Sequence, residues 1–263
     1  MKICVFCGRS SEQVQITKEH ILPKWMKKAF PHAKRYLYSS DYAGKNSVKR
    51  EVKGQTSFDM VISRVCQHCN NGWMSQQLES PLKDTLSKMI LGEQIRIDVN
   101  KINLLCVWAF KTAIVRALID NGRTFIPQEY YAKAAKLQIP NGCSIYLADR
   151  GWQNDFYYTR LTTLGPENKP GFIFALEIRS LVLFVLCSEF QETRAFLNDE
   201  CERINNTRHI KKIWPPLPSS VIASPIPRSI TWPLDNKLPF PSTHFADVVL
   251  SNIYTNQYHK AQK

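Results

Sequence analysis

The residues with the clearest chemical potential are four cysteines near the N-terminus. They form two CxxC pairs: Cys4 with Cys7, and Cys66 with Cys69. Thiolates in two such pairs can close a tetrahedral zinc site. Glu19 and His20 lie between the pairs, and Asn70 directly follows the second pair. We expect closure of the zinc site to bring this carboxylate, imidazole and amide together, which suggests a hydrolytic metal centre.

These three side chains suit the hydrolysis of a phosphodiester. A neutral histidine can take the proton of an attacking water, so His20 is the candidate general base. Carboxylate and amide oxygens are suitable ligands for Mg²⁺ or Mn²⁺, so Glu19 and Asn70 are candidate ligands of a catalytic divalent ion. Because neighbouring side chains of a strand point to opposite faces, Glu19 and His20 can act from different sides.

The string Glu19-His20-Ile21-x-Pro23 between the two CxxC pairs, with Asn70 and Asn71 after them, resembles the HNH endonuclease family in its four-cysteine zinc form. The resemblance covers roughly residues 3–80. It implies a β-hairpin followed by a helix around one catalytic metal, with His20 as the general base and Glu19 and Asn70 as ligands. The four cysteines then hold a structural Zn²⁺ that takes no part in catalysis.

The chain departs from the family pattern at two positions. The family's middle asparagine is absent from residues 57–63, where Asp59, Ser57 or a backbone carbonyl could replace it. Glu19 stands where aspartate is commoner, which lengthens the ligand arm by a methylene. Asn71 could also replace Asn70 as the metal ligand.

The charge of the chain fits a polyanionic partner. The formal net charge is +13, and residues 1–80 carry nine Lys and four Arg against six acidic side chains. DNA is the expected partner and RNA is not excluded. Lys18, Lys24, Lys27 and Lys28 flank the motif and are candidate contacts to the nucleic-acid backbone, with a solvated helix face as the equal alternative for the last three.

The composition, 263 residues with 44% hydrophobic side chains, is that of a globular protein. The longest apolar stretch, residues 102–119, contains Lys111 and Arg116, whose charged ends we expect to reach water along apolar stems. We therefore expect no membrane span, and the short apolar N-terminus predicts a cytoplasmic location. In a reducing compartment disulfides are disfavoured, so Cys106 and Cys187 are interpreted as small buried hydrophobes.

The predicted fold class is α+β. A zinc-stabilised ββα-metal (HNH) nuclease module is expected in residues 1–90, followed by a mixed helix and antiparallel-sheet domain in residues 91–263. Hydrophobic periodicity predicts helices over residues 23–30, 72–90, 101–120, 127–137 and 244–258. Apolar runs predict strands over residues 13–17, 35–38, 47–52, 144–148, 156–161, 172–177 and 181–187, of which the last two form a hairpin. Pro81 is expected to bend the second helix.

The second domain is expected to be helical over residues 101–137, mostly strands over 143–190, and extended in the proline-rich tail 214–241. It could bind DNA, form a homodimer or contact a protein partner. The leading interpretation of the chain is a metal-dependent DNA endonuclease, which the resemblance associates with phage defence or mobile-element biology. The alternatives are a zinc-knuckle nucleic-acid-binding protein without cleavage activity and an RNA-directed nuclease.

Overall fold

The computed structural model describes residues 1–30, 35–42, 46–53, 56–120, 126–151, 157–164, 171–195, 199, 209–215 and 229–239. The predicted helix at 244–258 and most of the proline-rich tail lie outside these residues. The described residues form helices and mainly antiparallel sheets. This confirms the α+β fold class, and the HNH module within it stays a prediction.

Helices lie at α1 (Lys24–Ala29), α2 (Gln67–Cys69), α3 (Ser80–Leu91), α4 (Val99–Ala117) and α5 (Gln128–Ala135), and a π-helical segment, Asn70–Glu79, joins α2 to α3. The first seven strands are β1 (Ile16–His20), β2 (Arg35–Tyr42), β3 (Asn46–Lys53), β4 (Val61–Cys66), β5 (Ile95–Asp98), β6 (Cys143–Asp149) and β7 (Tyr157–Leu164). Four more follow: β8 (Gly171–Ile178), β9 (Leu181–Ser188), β10 (Ile210–Trp214) and β11 (Ser229–Trp232).

The largest sheet has seven strands in the order β10-β6-β9-β8-β7-β2-β3. Its pairs are antiparallel except for β2 with β7, which run parallel. The predicted hairpin between β8 and β9 is confirmed, and Arg179 turns the chain there with a φ of 52°. Because β2 and β7 come from opposite sides of residue 90, the two predicted domains share this sheet, and their division at that residue stays a prediction.

Helix α4 runs through the core of the protein. It begins at Asp98, whose side chain accepts a hydrogen bond from the backbone N–H of Lys101 in the first turn. Its central side chains are buried all round, as expected of a helix that is apolar on every face. By length and composition Val99–Asp120 is apolar enough to cross a bilayer, and 78% of its most apolar stretch is buried inside the protein.

The prediction that two cations of α4 reach water is wrong. Lys111 and Arg116 are both fully buried, because protein surrounds this helix. Each finds polar partners instead, as buried charges must. Arg116 donates to Asp120 at 3.1 Å and to the hydroxyl of Ser40 at 2.9 Å, whereas Lys111 donates to Glu79 at 2.8 Å.

The expectation that disulfides are disfavoured is wrong for one pair. Cys143 in β6 and Cys187 in β9 are disulfide-bonded. They lie directly opposite each other in the antiparallel register, with their Cα atoms 4.2 Å apart. This register follows from the pairing of two strands far apart in sequence. Cys106 is a buried free thiol, as predicted.

The N-terminal segment forms a strand pair that leads into a helix. β1 pairs antiparallel with β4, from Ile16 opposite Cys66 to His20 opposite Val61. β4 then continues without a break into α2 and the π-helical segment. The strand predicted at residues 13–17 is thus displaced toward His20, and the helix predicted from residue 72 starts earlier.

The helix is irregular at Gly72 and not at Pro81, where a bend was predicted. Pro81 lies in the first turn of α3, where its missing N–H is tolerated. The non-helical backbone lies at Gly72, with φ −82° and ψ −108°. The predicted apolar face is confirmed by the buried side chains Trp73, Leu78, Leu82, Leu86 and Met89.

Candidate functional site

The four cysteines of the two CxxC pairs converge, as predicted. The sulfur atoms of Cys4, Cys7, Cys66 and Cys69 all lie within 4.8 Å of one another. Three of these side chains are buried and that of Cys7 is exposed. The cluster could hold a metal, and four sulfur donors in a small volume suit zinc.

Two short backbone motifs place the sulfurs. After Cys4 the chain turns back on itself: Gly8 donates to the Cys4 carbonyl at 2.9 Å and the Cys4 N–H donates to Arg9. Gly8 has a φ of 74°, in the left-handed region that favours glycine. On the other side, Cys66 ends β4, and its backbone N–H donates to the sulfur of Cys4 at 3.3 Å. The second pair therefore meets the first through the end of β4.

The electrostatics of the cluster also favour a bound cation. The hydrogen bond from Cys69 lowers the pKa of Cys4 to about 4. The same hydrogen bond raises the pKa of Cys69, and burial raises the pKa of Cys66. The thiolate of Cys4 thus opposes ionisation of Cys69, and a bound metal ion would favour the thiolate form of both.

His20 ends β1 with a half-buried ring. Burial lowers its pKa, and the nearby ammonium groups of Lys24 and Lys27 lower it further, while Asp59 and Glu79 oppose them. A lowered pKa favours the neutral ring, which is the form that a general base requires. His68, which lies between Cys66 and Cys69, is exposed to solvent.

Glu19 faces the protein interior and is 5% exposed. The ladder of β1 with β4 is irregular between Thr17 and Glu19, and such irregularities re-aim side chains. The nearest cation is Lys111 of α4, whose Nζ lies 3.8 Å from Glu19 Oε1. Burial raises the pKa of Glu19 to about 7, with Lys111 acting against this rise and Glu79 adding to it.

Asn70 begins the π-helical segment, and its amide donates to the hydroxyl of Thr17 at 3.2 Å. The amide therefore lies alongside β1, on which Glu19 also lies. The alternative ligand Asn71 is exposed and lines an open cavity of about 550 Å³ whose other walls include Gln15 and His68. Within the described residues, no second group of three or more Cys, His, Asp or Glu side chains comes close enough to share an ion.

Asp59, the candidate substitute for the missing asparagine, braces the turn before β4. It accepts hydrogen bonds from the backbone and hydroxyl of Thr56 and from Lys27. Burial acts to raise its pKa, but these hydrogen bonds hold the pKa at about 2. Asp59 thereby ties α1, through Lys27, to the turn that leads into β4.

The candidate nucleic-acid contacts are exposed: Lys18, Lys24, Lys27 and Lys28. Lys27 forms an ion pair with Asp59 at 2.5 Å, so part of its charge is already neutralised. A basic residue that sequence reasoning missed, Lys83 of α3, lies 5.7 Å from the centre of the Trp25 ring on α1. Trp73 and Trp108 are buried in the core.

Two further residues near the site were missed by sequence reasoning, Glu79 and Lys111. The sequence signal for Lys111 was a lysine within an apolar stretch. From the sequence, this lysine was interpreted as a cation that reaches water. Its Nζ lies 2.8 Å from Glu79 Oε1 as well as near Glu19. Elements from both predicted domains therefore meet beside Glu19.

In comparisons with protein-family models, with curated proteins and with solved structures, none matches this chain. The candidate site is therefore interpreted from its own geometry and chemistry.

Proposed function

We propose that this chain is a metal-dependent DNA endonuclease of the HNH type. One observation carries the proposal. The strand that ends in Glu19 and His20 pairs with β4, β4 runs directly into the helix that carries Asn70, and the four sulfurs lie where these elements meet. This is the order of elements that the resemblance implies for a nuclease of this kind.

In this proposal His20 is the general base. Its half-buried ring and lowered pKa support a neutral imidazole at neutral pH. No hydrogen bond within the described part of the chain occupies the ring, so its nitrogen is available to accept a proton from water. The ammonium group of Lys24 acts electrostatically on the ring, and its positive charge suits a phosphate substrate.

The residues that would hold a catalytic Mg²⁺ or Mn²⁺ are Glu19 and Asn70. The Glu19 carboxylate makes no hydrogen bond to any described residue, which leaves its oxygens free to act as ligands, and this supports the assignment. When bound, such an ion stabilises the charge that develops on the phosphate and on the leaving oxygen. A DNA partner and a cytoplasmic location stay predictions.

The test is plasmid cleavage by zinc-loaded protein with Mg²⁺ or Mn²⁺. We expect the wild type to nick or linearise the plasmid and His20→Ala to lose at least about 100-fold in rate, as expected for loss of a general base. His68→Ala is the matched control and should cut like the wild type. EDTA should stop cleavage and added Mg²⁺ should restore it. Cleavage by His20→Ala at the wild-type rate would refute the assignment.

A second candidate function is a zinc-stabilised nucleic-acid-binding protein that does not cut. It is favoured by the position of Glu19, whose charge already faces the ammonium of Lys111. A protein of this kind needs zinc but no exchangeable divalent ion. A gel shift of DNA without cleavage under every metal condition would support it. The same assay with single-stranded DNA and with RNA tests the RNA-directed alternative.

A further inference from the structure

Lys111 occupies an unusual place for a charged side chain. It lies in the middle of α4, between Phe110 and Thr112, and none of its surface is exposed. Burying an ammonium group is unfavourable unless partners compensate its charge. The partners come from two elements distant in sequence: Glu79 at the end of the π-helical segment and Glu19 at the end of β1.

The two carboxylates meet this ammonium differently. Glu79 Oε1 accepts a hydrogen bond from Nζ at 2.8 Å, which satisfies the charge of the lysine. Glu19 Oε1 lies at 3.8 Å, beyond hydrogen-bond distance but well within the range of electrostatic attraction. Lys111 therefore holds Glu19 in place by charge while it leaves the lone pairs of that carboxylate free.

The net charge of Glu19, Glu79 and Lys111 also favours the binding of a cation. When Glu19 is ionised, two carboxylates and one ammonium leave a formal negative charge in this cluster, where the Glu79 side chain keeps 16% of its surface exposed. A further cation is the partner that would neutralise it. An arrangement that served stability alone would need only one carboxylate for the lysine.

We propose that Lys111 is a positioning residue of the nuclease site, which fixes the Glu19 carboxylate so that this carboxylate can bind the divalent ion. The inference rests on the proposed function, because that function assigns Glu19 to the ion. It also gives the second half of the chain a role: α4 completes the site that the N-terminal motif begins. The chain is then one catalytic unit in which residues 91–263 supply a necessary charge.

The test compares Lys111→Met with Arg116→Met. Arg116 is the matched control, because it is a fully buried cation on the same helix whose carboxylate partner is Asp120 instead of Glu19. For each variant we would measure zinc content, melting temperature, Mn²⁺ affinity by electron paramagnetic resonance, and the Mn²⁺ concentration that half-saturates cleavage. We expect Lys111→Met to weaken Mn²⁺ binding roughly 10–100-fold, the range seen when a partner of a metal ligand is removed. Arg116→Met should leave Mn²⁺ binding unchanged.

The direction of the change is itself diagnostic. Removing a positive charge near the ion would by electrostatics alone tighten Mn²⁺ binding. Lys111 also lowers the pKa of Glu19, so the affinity is measured as a function of pH: weakening that persists at a pH where Glu19 is ionised in both proteins reports a loss of positioning, and weakening that disappears there overturns the proposal. Unchanged or tighter binding by folded Lys111→Met would overturn the proposal. Lys111→Arg keeps the charge and should recover most of the affinity. If Lys111→Met does not fold, Lys111→Gln, which keeps a polar end without the charge, takes its place: weaker Mn²⁺ binding supports the proposal, and unchanged or tighter binding overturns it.

The failure of this inference can be told apart from the failure of the proposed function. If the wild type binds Mn²⁺ but cuts no nucleic acid, the endonuclease assignment fails, and the affinity ratio of wild type to Lys111→Met still decides the role of Lys111. If the wild type cuts DNA and Lys111→Met binds Mn²⁺ equally well, the function stands and the inference fails. If the zinc-loaded wild type binds no Mn²⁺, the inference is overturned.

Discussion

Glu19 combines a proposed role as a metal ligand with an unfavourable environment. Its side chain is almost completely buried, and its pKa is raised from an ordinary value of 4.5 to about 7. Functional sites commonly hold groups in states that the rest of the fold must stabilise. The raised pKa therefore predicts that the ionised carboxylate lowers the stability of the protein when no divalent ion is bound.

The first prediction concerns Glu19→Gln in zinc-loaded protein without Mg²⁺ or Mn²⁺. A carboxyl group whose pKa is raised by folding contributes stability below pH 4.5, and this is lost as the pH rises through about 7. Glutamine carries no charge at any pH. We expect the variant to be more stable than the wild type by about 1–3 kcal/mol at pH 8, with most of the difference gone at pH 5.

Urea denaturation at the two pH values measures this difference in the free energy of unfolding. Glu93→Gln, at an exposed glutamate, is the control and should match the wild type at both pH values. A Glu19→Gln variant no more stable than the wild type at pH 8 would show that Lys111 fully compensates the buried charge.

At the scale of elements, the four cysteines join three pieces of chain. The N-terminal turn, the end of β4 and the end of α2 each contribute to the cluster. β1 and β4 form only a two-stranded sheet, and such a pair has marginal stability by itself. A metal ion at the cluster is therefore expected to stabilise the strand pair that carries His20.

A further prediction follows for Cys66→Ser. The variant should lose stoichiometric zinc, because the remaining sulfurs cannot complete a four-thiolate site, and β1 and β4 should lose protection from hydrogen exchange. Cys106→Ala, at a buried free thiol outside the cluster, should keep its zinc and lose only about 1 kcal/mol of stability. Retention of one zinc per chain by Cys66→Ser would contradict the assignment of the site.

The limits of helices and strands were predicted most accurately where residues close together in the sequence define them. α4 and the β8–β9 hairpin were close to the predicted limits, because continuous apolar runs and a short turn define them within a few residues. The helix after Cys66 starts before the predicted residue 72, because α2 begins within the CxxC pair itself. The three residues of α2 are too few to show the helical spacing of apolar side chains.

On the scale of the whole molecule, the N-terminal segment and the rest of the chain are connected in three ways. β2 pairs with β7 to extend the seven-stranded sheet, and Lys111 of α4 binds Glu79. α3 also contacts α4. A fragment that ended at residue 90 would leave β2 without its parallel neighbour and Glu79 without its cation.

We therefore expect a fragment of residues 1–90 not to fold by itself, even with zinc. Far-ultraviolet circular dichroism should show little cooperative melting, because the fragment loses both the sheet and the core helix that cover its apolar side chains. The full chain, purified in parallel, is the control. A fragment that melts cooperatively with zinc would support a division of the chain at residue 90 and contradict this expectation.

The sequence by itself determined the features that depend on residues close together in the chain: the two CxxC pairs, the Glu19-His20 step and the apolar face of α4. The spacing of the pairs sufficed to predict that their sulfurs converge. Only the tertiary structure decided the partners of Lys111 and the disulfide between Cys143 and Cys187. Those contacts depend on packing and register between elements distant in sequence. The amino-acid type alone does not tell whether the fold buries a lysine or leaves it in water.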